Sequence, residues 1–264
     1  GGGDWRVLKK RMRAEGLRPS SLYQPAQRDV LPDWCGVLGE IMVLARGFDA
    51  SACSMALPAA ADKTALAELF APLLLVARQH LADLVPDTQA DISDAAMQDL
   101  ELALLGRLAA LAGPCVVTLF NAFKQAVPGD AVSNATLSPM LAALMPTATT
   151  ATRGRYQAFV AAQWADGYQA MFTRFPVLAR LLSLALVQWA NMVAEFLARA
   201  AHDRAALAST FCPTEVLGAI TRVAVTLSDA HAGGRSVMKV TFATGSGAGA
   251  NEMSVAYKPR PSEM

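Results

Sequence analysis

The chain has 264 residues, with 23 Lys and Arg against 22 Asp and Glu, for a formal net charge of +1. That balance gives no electrostatic case for nucleic acid or an anionic membrane as the main partner. With 53% hydrophobic and 17% charged residues, a disordered chain is excluded and a sizeable core is expected.

Mean hydropathy is high, +0.30. The longest strongly apolar run without charge, Leu181 to Ala194, contains Gln188 and Asn191 and is shorter than the roughly 18 residues a span needs. No transmembrane helix is expected. The start, Gly1-Gly2-Gly3-Asp4-Trp5-Arg6, has no basic-then-apolar signal pattern. Cys35, Cys53, Cys115 and Cys212 form no CxxC pair, and His80 and His202 are far from them in sequence. No local zinc signature results, and reduced cysteines in a cytoplasmic protein are the expectation.

In chain order, the first 35 residues are basic and irregular, with Lys9, Lys10, Arg11 and Arg13 in a short run and Trp34 expected to pack on the next helix. Thr64 to Val85 reads as a helix capped by Thr64, kinked or broken at Pro72 and ended by Pro86. Ser93 to Ala112 reads as a second helix with a stripe at Ala96, Leu100, Leu104, Leu108 and Leu111, stopped by Gly113-Pro114. A shorter helix spans Val116 to Val127. Residues 131–152 read as a loop around one turn at Met140 to Met145. Helix resumes from Arg153 to Thr173, then from Val177 to about Ala201 with Pro176 in its first turn, and briefly from Thr214 to Ile220.

The period then changes to two. Val223 to Leu227, Val237 to Phe242 and Ser254 to Lys258 read as three antiparallel strands. The expected class is mainly α, α+β, with a helical region over 1–221 and the first strands of a small sheet over 222–264. Such a sheet is marginal alone, and its edge after Lys258 should be prone to aggregation.

The chemistry is concentrated in that sheet. Leu227-Ser228-Asp229-Ala230-His231-Ala232-Gly233-Gly234-Arg235-Ser236-Val237 is a glycine-containing connection between two strands. Val255-Ala256-Tyr257-Lys258-Pro259-Arg260-Pro261 puts a lysine at the end of the next. In a kinase N-lobe, a small-residue hairpin covers the phosphates and a neighbouring strand aims a lysine at them. Gly233 and Gly234 would allow close backbone approach, and Lys258 would supply a mobile point charge. On spacing alone this is a weak pattern, and neither a Walker A nor a Rossmann motif is present.

These two blocks, SDAHAGGRSV and VAYKPRP, resemble the dehydratase domain of class II, LanM-type lanthipeptide synthetases. The run Phe175-Pro176-Val177-Leu178-Ala179-Arg180-Leu181-Leu182 with Trp189 and Phe196-Leu197 resembles the same family upstream. The resemblance is specific from Tyr168 to Pro261 and diffuse before it. It implies a lipid-kinase-like fold and an enzyme that uses ATP and Mg²⁺ to phosphorylate Ser and Thr of a ribosomal precursor peptide carrying a leader. The phosphate is then eliminated to give dehydroamino acids. A zinc-dependent cyclase domain lies beyond this chain in that family. The resemblance assigns Lys258, Asp229, His231, Gly233 and Gly234 to nucleotide binding. Arg235 follows the pattern with a role divided between turn stability and phosphate contact, and Arg260 is expected to pair structurally.

Ala230 and Ala232 depart from the Pro and Asn common in the family, and the connection Gly245 to Asn251 is longer than usual. The family's base, metal ligands and elimination residues fall after Met264. The chain is therefore expected to be an N-terminal fragment, inactive alone, with no catalytic and no metal-binding residue of its own. The competing expectation is a non-catalytic helical module from a truncated gene that binds a peptide or protein.

Overall fold

The computed structural model describes residues 31–61, 64, 66–85, 91–126, 150–225, 234–245 and 251–259. Contacts divide the chain after Asp33, and the fold described here is that of the second unit, Trp34–Met264. The expected turn at Met140 to Met145 and the basic run from Lys9 to Arg13 lie outside the described residues. The class is mainly α with a small antiparallel sheet near the C-terminal end.

Helices α1 (Asp33–Arg46) and α2 (Ala50–Ala56) come first. Trp34 lies inside α1 and does not precede it. Asp49 caps α2 through its carboxylate, which accepts from the Ala52 amide at 2.8 Å. A 3₁₀ turn at Glu68–Phe70 leads into α3 (Ala71–Leu84). The expected helix from Thr64 is thus corrected: Pro72 lies in the first turn of α3, where a missing amide costs nothing. Pro72 begins this helix instead of breaking it.

Helix α4 (Asp94–Ala126) runs unbroken through Gly113 and Pro114, against the expected stop. Its buried positions Leu100, Leu104, Leu108, Ala112 and Val116 recur every four residues across the Gly-Pro pair. Burial of a Leu side chain contributes about 1.5–3 kcal/mol, so a continuous stripe offsets the roughly 3 kcal/mol cost of an internal proline. The expected helix from Arg153 to Thr173 is two helices, α5 (Thr150–Ala165) and α6 (Gln169–Arg174). They part at Gly167 and Tyr168, both at positive φ. A Cβ at Gly167 would lie 2.5 Å from the Met42 carbonyl oxygen, so α1 packs where only glycine fits. The turn aims the buried Tyr168 hydroxyl at the Leu69 carbonyl, 2.5 Å away. Trp164 Nε1 donates to the same oxygen at 3.4 Å.

Helix α7 (Pro176–His202) starts at its proline as expected. It buries Leu178, Leu182, Ala185, Leu186, Trp189, Val193 and Phe196 and packs on α3, α4, α6 and α8 (Arg204–Phe211). Trp189 Nε1 donates to the Leu100 carbonyl at 3.0 Å, tying α7 to α4. Between α3 and α4, Arg78 forks onto the buried Glu101 at 2.6 and 2.7 Å. By length and composition alone, α4 and α7 are each long and apolar enough to cross a membrane. The α4 stretch meets that criterion because the helix continues past Gly113.

Strand β1 (Leu217–Ala224) occupies the place of the helix expected over Thr214 to Ile220. Its pairing with β2 (Met238–Thr244) slips between Leu217 and Ile220 and again before Arg222. These irregularities bury Leu217, Ile220 and Val223, three residues apart, which mimics a helical period. Strand β3 (Asn251–Tyr257) pairs with β2 in regular antiparallel register, from Met238 opposite Tyr257 to Thr244 opposite Asn251.

The four cysteines are free thiols. Burial, reinforced by Glu68, pushes the Cys53 thiol up to about 12 from an ordinary 9.0. A raised acid stabilises the fold below its ordinary pKa and loses that contribution as pH rises toward the folded value. We therefore expect stability to fall between pH 9 and about 12 less steeply in Cys53→Ala than in the parent. At pH 9 an alkylating reagent should modify half-buried Cys35 and Cys115 before Cys53. Equal labelling rates would contradict this packing.

Candidate functional site

The sheet register decides what meets. Met238, the first residue of β2, lies opposite Tyr257, the last of β3, and Ala224, the last of β1, lies opposite Lys239. The connection between β1 and β2, including Gly234, therefore emerges at the same end of the sheet as Lys258. Lys258 is exposed directly after β3, and among the described residues it makes no ion pair. Strand alternation separates it from Tyr257. Tyr257 packs its ring on Phe196 of α7, with centroids 5.3 Å apart, so Lys258 belongs to the face turned away from α7.

Gly234 is held from the helical side. Its φ is +80°, and a Cβ there would lie 2.7 Å from Arg107 Nη1 and 3.3 Å from Gln188 Oε1. Arg107, on α4, is itself fixed by donating to Gln188 Oε1 of α7 at 2.6 Å. Partial burial lowers the Arg107 guanidinium below its ordinary pKa. Position 234 thus requires glycine twice, for conformation and for space.

The next residue anchors the turn. Arg235 places Nε 2.8 Å and Nη2 2.7 Å from Glu195 Oε2, and Glu195 also pairs with Arg199 one helical turn on. Beside this cluster Tyr257 is pushed up, chiefly by burial and partly offset by Arg199. Of the two roles open to Arg235, the contact with α7 supports turn stability.

Asp229, His231, Gly233 and Arg260 lie outside the described residues. Of the residues assigned to nucleotide binding, Gly234 and Lys258 are brought to one end of the sheet. Arg107, Gln188, Glu195 and Arg199 were not singled out by sequence. One signal was present: Gln188, Glu195 and Arg199 share a face of the otherwise apolar α7 at spacings of seven and four. Arg107 had no such signal, because its partner is on another helix.

Among the described residues, no three His, Cys, Asp or Glu side chains converge to hold a metal ion. Further back along α7, Trp34, Leu38, Met42, Phe172 and Pro176 line an open apolar depression of about 280 Å³.

A family model described as a domain of unknown function, DUF4135, matches residues 175–264. The matched segment begins at Phe175, the residue before α7, and takes in the helix that carries Gln188 and Glu195, the glycine turn and Lys258. No curated protein matches the chain.

Gly234→Ala should cost about 1–2 kcal/mol in denaturant unfolding. Adding Arg107→Ala should return part of that loss by clearing space for the Cβ. Strict additivity of the two substitutions would show that the contact is not made.

Proposed function

We propose that this chain is the N-terminal part of a lanthipeptide synthetase dehydratase and contributes part of its ATP cleft. The observation that carries the reading is the convergence of the glycine turn and Lys258 at one end of a sheet backed by α7. The DUF4135 match supports it, since that family is associated with LanM-type lanthipeptide synthetases. The motif blocks in the sequence point the same way.

In this reading the Ser or Thr hydroxyl oxygen of a precursor peptide attacks the γ-phosphorus of ATP. The new O–P bond forms as the bond to the β–γ bridging oxygen breaks, ADP leaves, and the hydroxyl proton passes to a base. In the elimination a base then takes the α-proton, the C–H electron pair forms the C=C bond, and the C–O bond breaks to release phosphate from the β-carbon. Lys258 supplies positive charge to the triphosphate, and Gly234 seats the turn against Arg107 and Gln188. Arg235, Glu195 and Arg107 hold the turn at its height above α7. Among the described residues, no three acidic, His or Cys side chains converge to fit a Mg²⁺ site.

Lys258→Ala should weaken ATP binding to the chain by about tenfold, the loss of one charge-assisted contact. Calorimetric titration at low salt measures it, with precursor-peptide binding followed in parallel. Unchanged ATP binding, or no ATP binding by the parent, would contradict the reading. Peptide binding that persists without any ATP binding would favour a helical peptide-binding module, for which the apolar depression beside Trp34 is the available surface.

A further inference from the structure

The outward face of the sheet carries a second cation that the motif blocks do not include. Lys239, on β2, lies opposite Ala256 of β3 and beside Ala224 of β1. Met238, Val240 and Phe242 are buried and Lys239 is exposed, so Lys239 shares the outward face with Ser254 and Ala256. The hydroxyls of Thr241 and Ser254 meet across the two strands on that face, 3.0 Å apart. Lys258, two residues beyond Ala256, continues the same row. Continuing the β3 register by one residue past the Met238–Tyr257 pair makes Lys239 and Lys258 diagonal neighbours, with backbones about 7–8 Å apart. Each side chain can reach further than half that distance.

Three further observations isolate this pair. Both flanking residues of Lys239 are alanines, which cannot shield its ammonium group. Arg222, the other outward cation on the neighbouring strand, is neutralised by Asp99, which takes Nε at 2.8 Å and Nη2 at 2.9 Å. The acid of β3, Glu252, lies opposite Ala243 toward the other end of the sheet, about 13 Å along the strand from Ala256. Among the described residues, neither lysine has an anionic partner. Two like charges so placed repel and weaken the strand pair slightly. A ligand with several anionic oxygens turns that repulsion into attraction.

We propose that Lys239 is a second phosphate-contacting residue, paired with Lys258 across β2 and β3 to hold the polyphosphate of a nucleoside triphosphate. This rests on the nucleotide reading above and extends it to a residue outside the glycine turn. Recognition is by the polyphosphate chain, so inorganic triphosphate should bind the same pair and adenosine should not depend on it.

The test is calorimetric titration of the full chain with ATP, inorganic triphosphate and a phosphoserine peptide at low and moderate salt. The proteins are the parent, Lys239→Ala, Lys239→Arg, Lys258→Ala and the double alanine variant. Because both lysines are exposed, the variants should melt like the parent. Lys239→Ala should weaken ATP and triphosphate by about five- to tenfold. Lys239→Arg should retain most of the affinity, and the salt dependence should fall with each lysine removed. If Lys258→Ala weakens ATP and Lys239→Ala does not, the inference fails while the nucleotide reading stands. If ATP fails to bind the parent, or neither substitution changes ATP binding, both fall. If Lys239→Ala weakens the phosphopeptide alone, the face recognises modified peptide and the inference is overturned.

Discussion

A three-stranded sheet is too small to hold itself in place, and everything near Lys258 depends on how this sheet is fixed. The segment before α4 does part of it. The Ile220 amide donates to the Asp91 carbonyl and the Ser93 amide donates to the Ile220 carbonyl, each at 2.8 Å. This short parallel bridge covers the outer edge of β1. Ser93 then caps α4 by accepting from the Ala96 amide, and its hydroxyl reaches the Thr221 carbonyl. Asp99, one turn into α4, accepts from the Val223 amide as well as from Arg222. Arg204 closes the other end by donating to the Leu217 and Gly218 carbonyls. The edge strand is thereby made part of the helical layer.

Helix α7 supplies the second constraint. Its apolar stripe builds the core with α3 and α4, while Gln188, Glu195 and Arg199 on one face receive the turn after β1 and the end of β3. The same helix thus sets the core and the height of the glycine turn. A change that rotates α7 would move Gly234 and Tyr257 together. Lys258, on the far face of the sheet, would follow through β3 alone. The height of the Gly234 turn consequently depends on the packing of Trp189 and Phe196, both of which are buried.

The sequence made α7 legible because Pro176 starts it and its stripe holds one period throughout. The class and the approximate place of β2 and β3 were legible for similar reasons: local alternation reports local geometry. Failures arose where tertiary contacts outweighed local preference. Gly113-Pro114 did not stop α4 because Leu108, Ala112 and Val116 stay in register across it. Gly167 and Tyr168 split one expected helix because the Met42 carbonyl and the Leu69 carbonyl fix that turn from outside. The start of strand β1 shows no alternation because its irregular pairing spaces buried residues by three. Arg107 was invisible for the same cause, since its role exists only once α4, α7 and the turn are assembled.

In the proposed role, one end of the sheet receives the phosphates of a nucleotide. An acyl-phosphate derivative of ATP, which transfers its acyl group to an amine beside the phosphates, tests this directly when modified lysines are mapped by mass spectrometry. Labelling should concentrate on Lys258 and Lys239 and be suppressed by excess ATP. Labelling spread over other surface lysines and indifferent to ATP would contradict it.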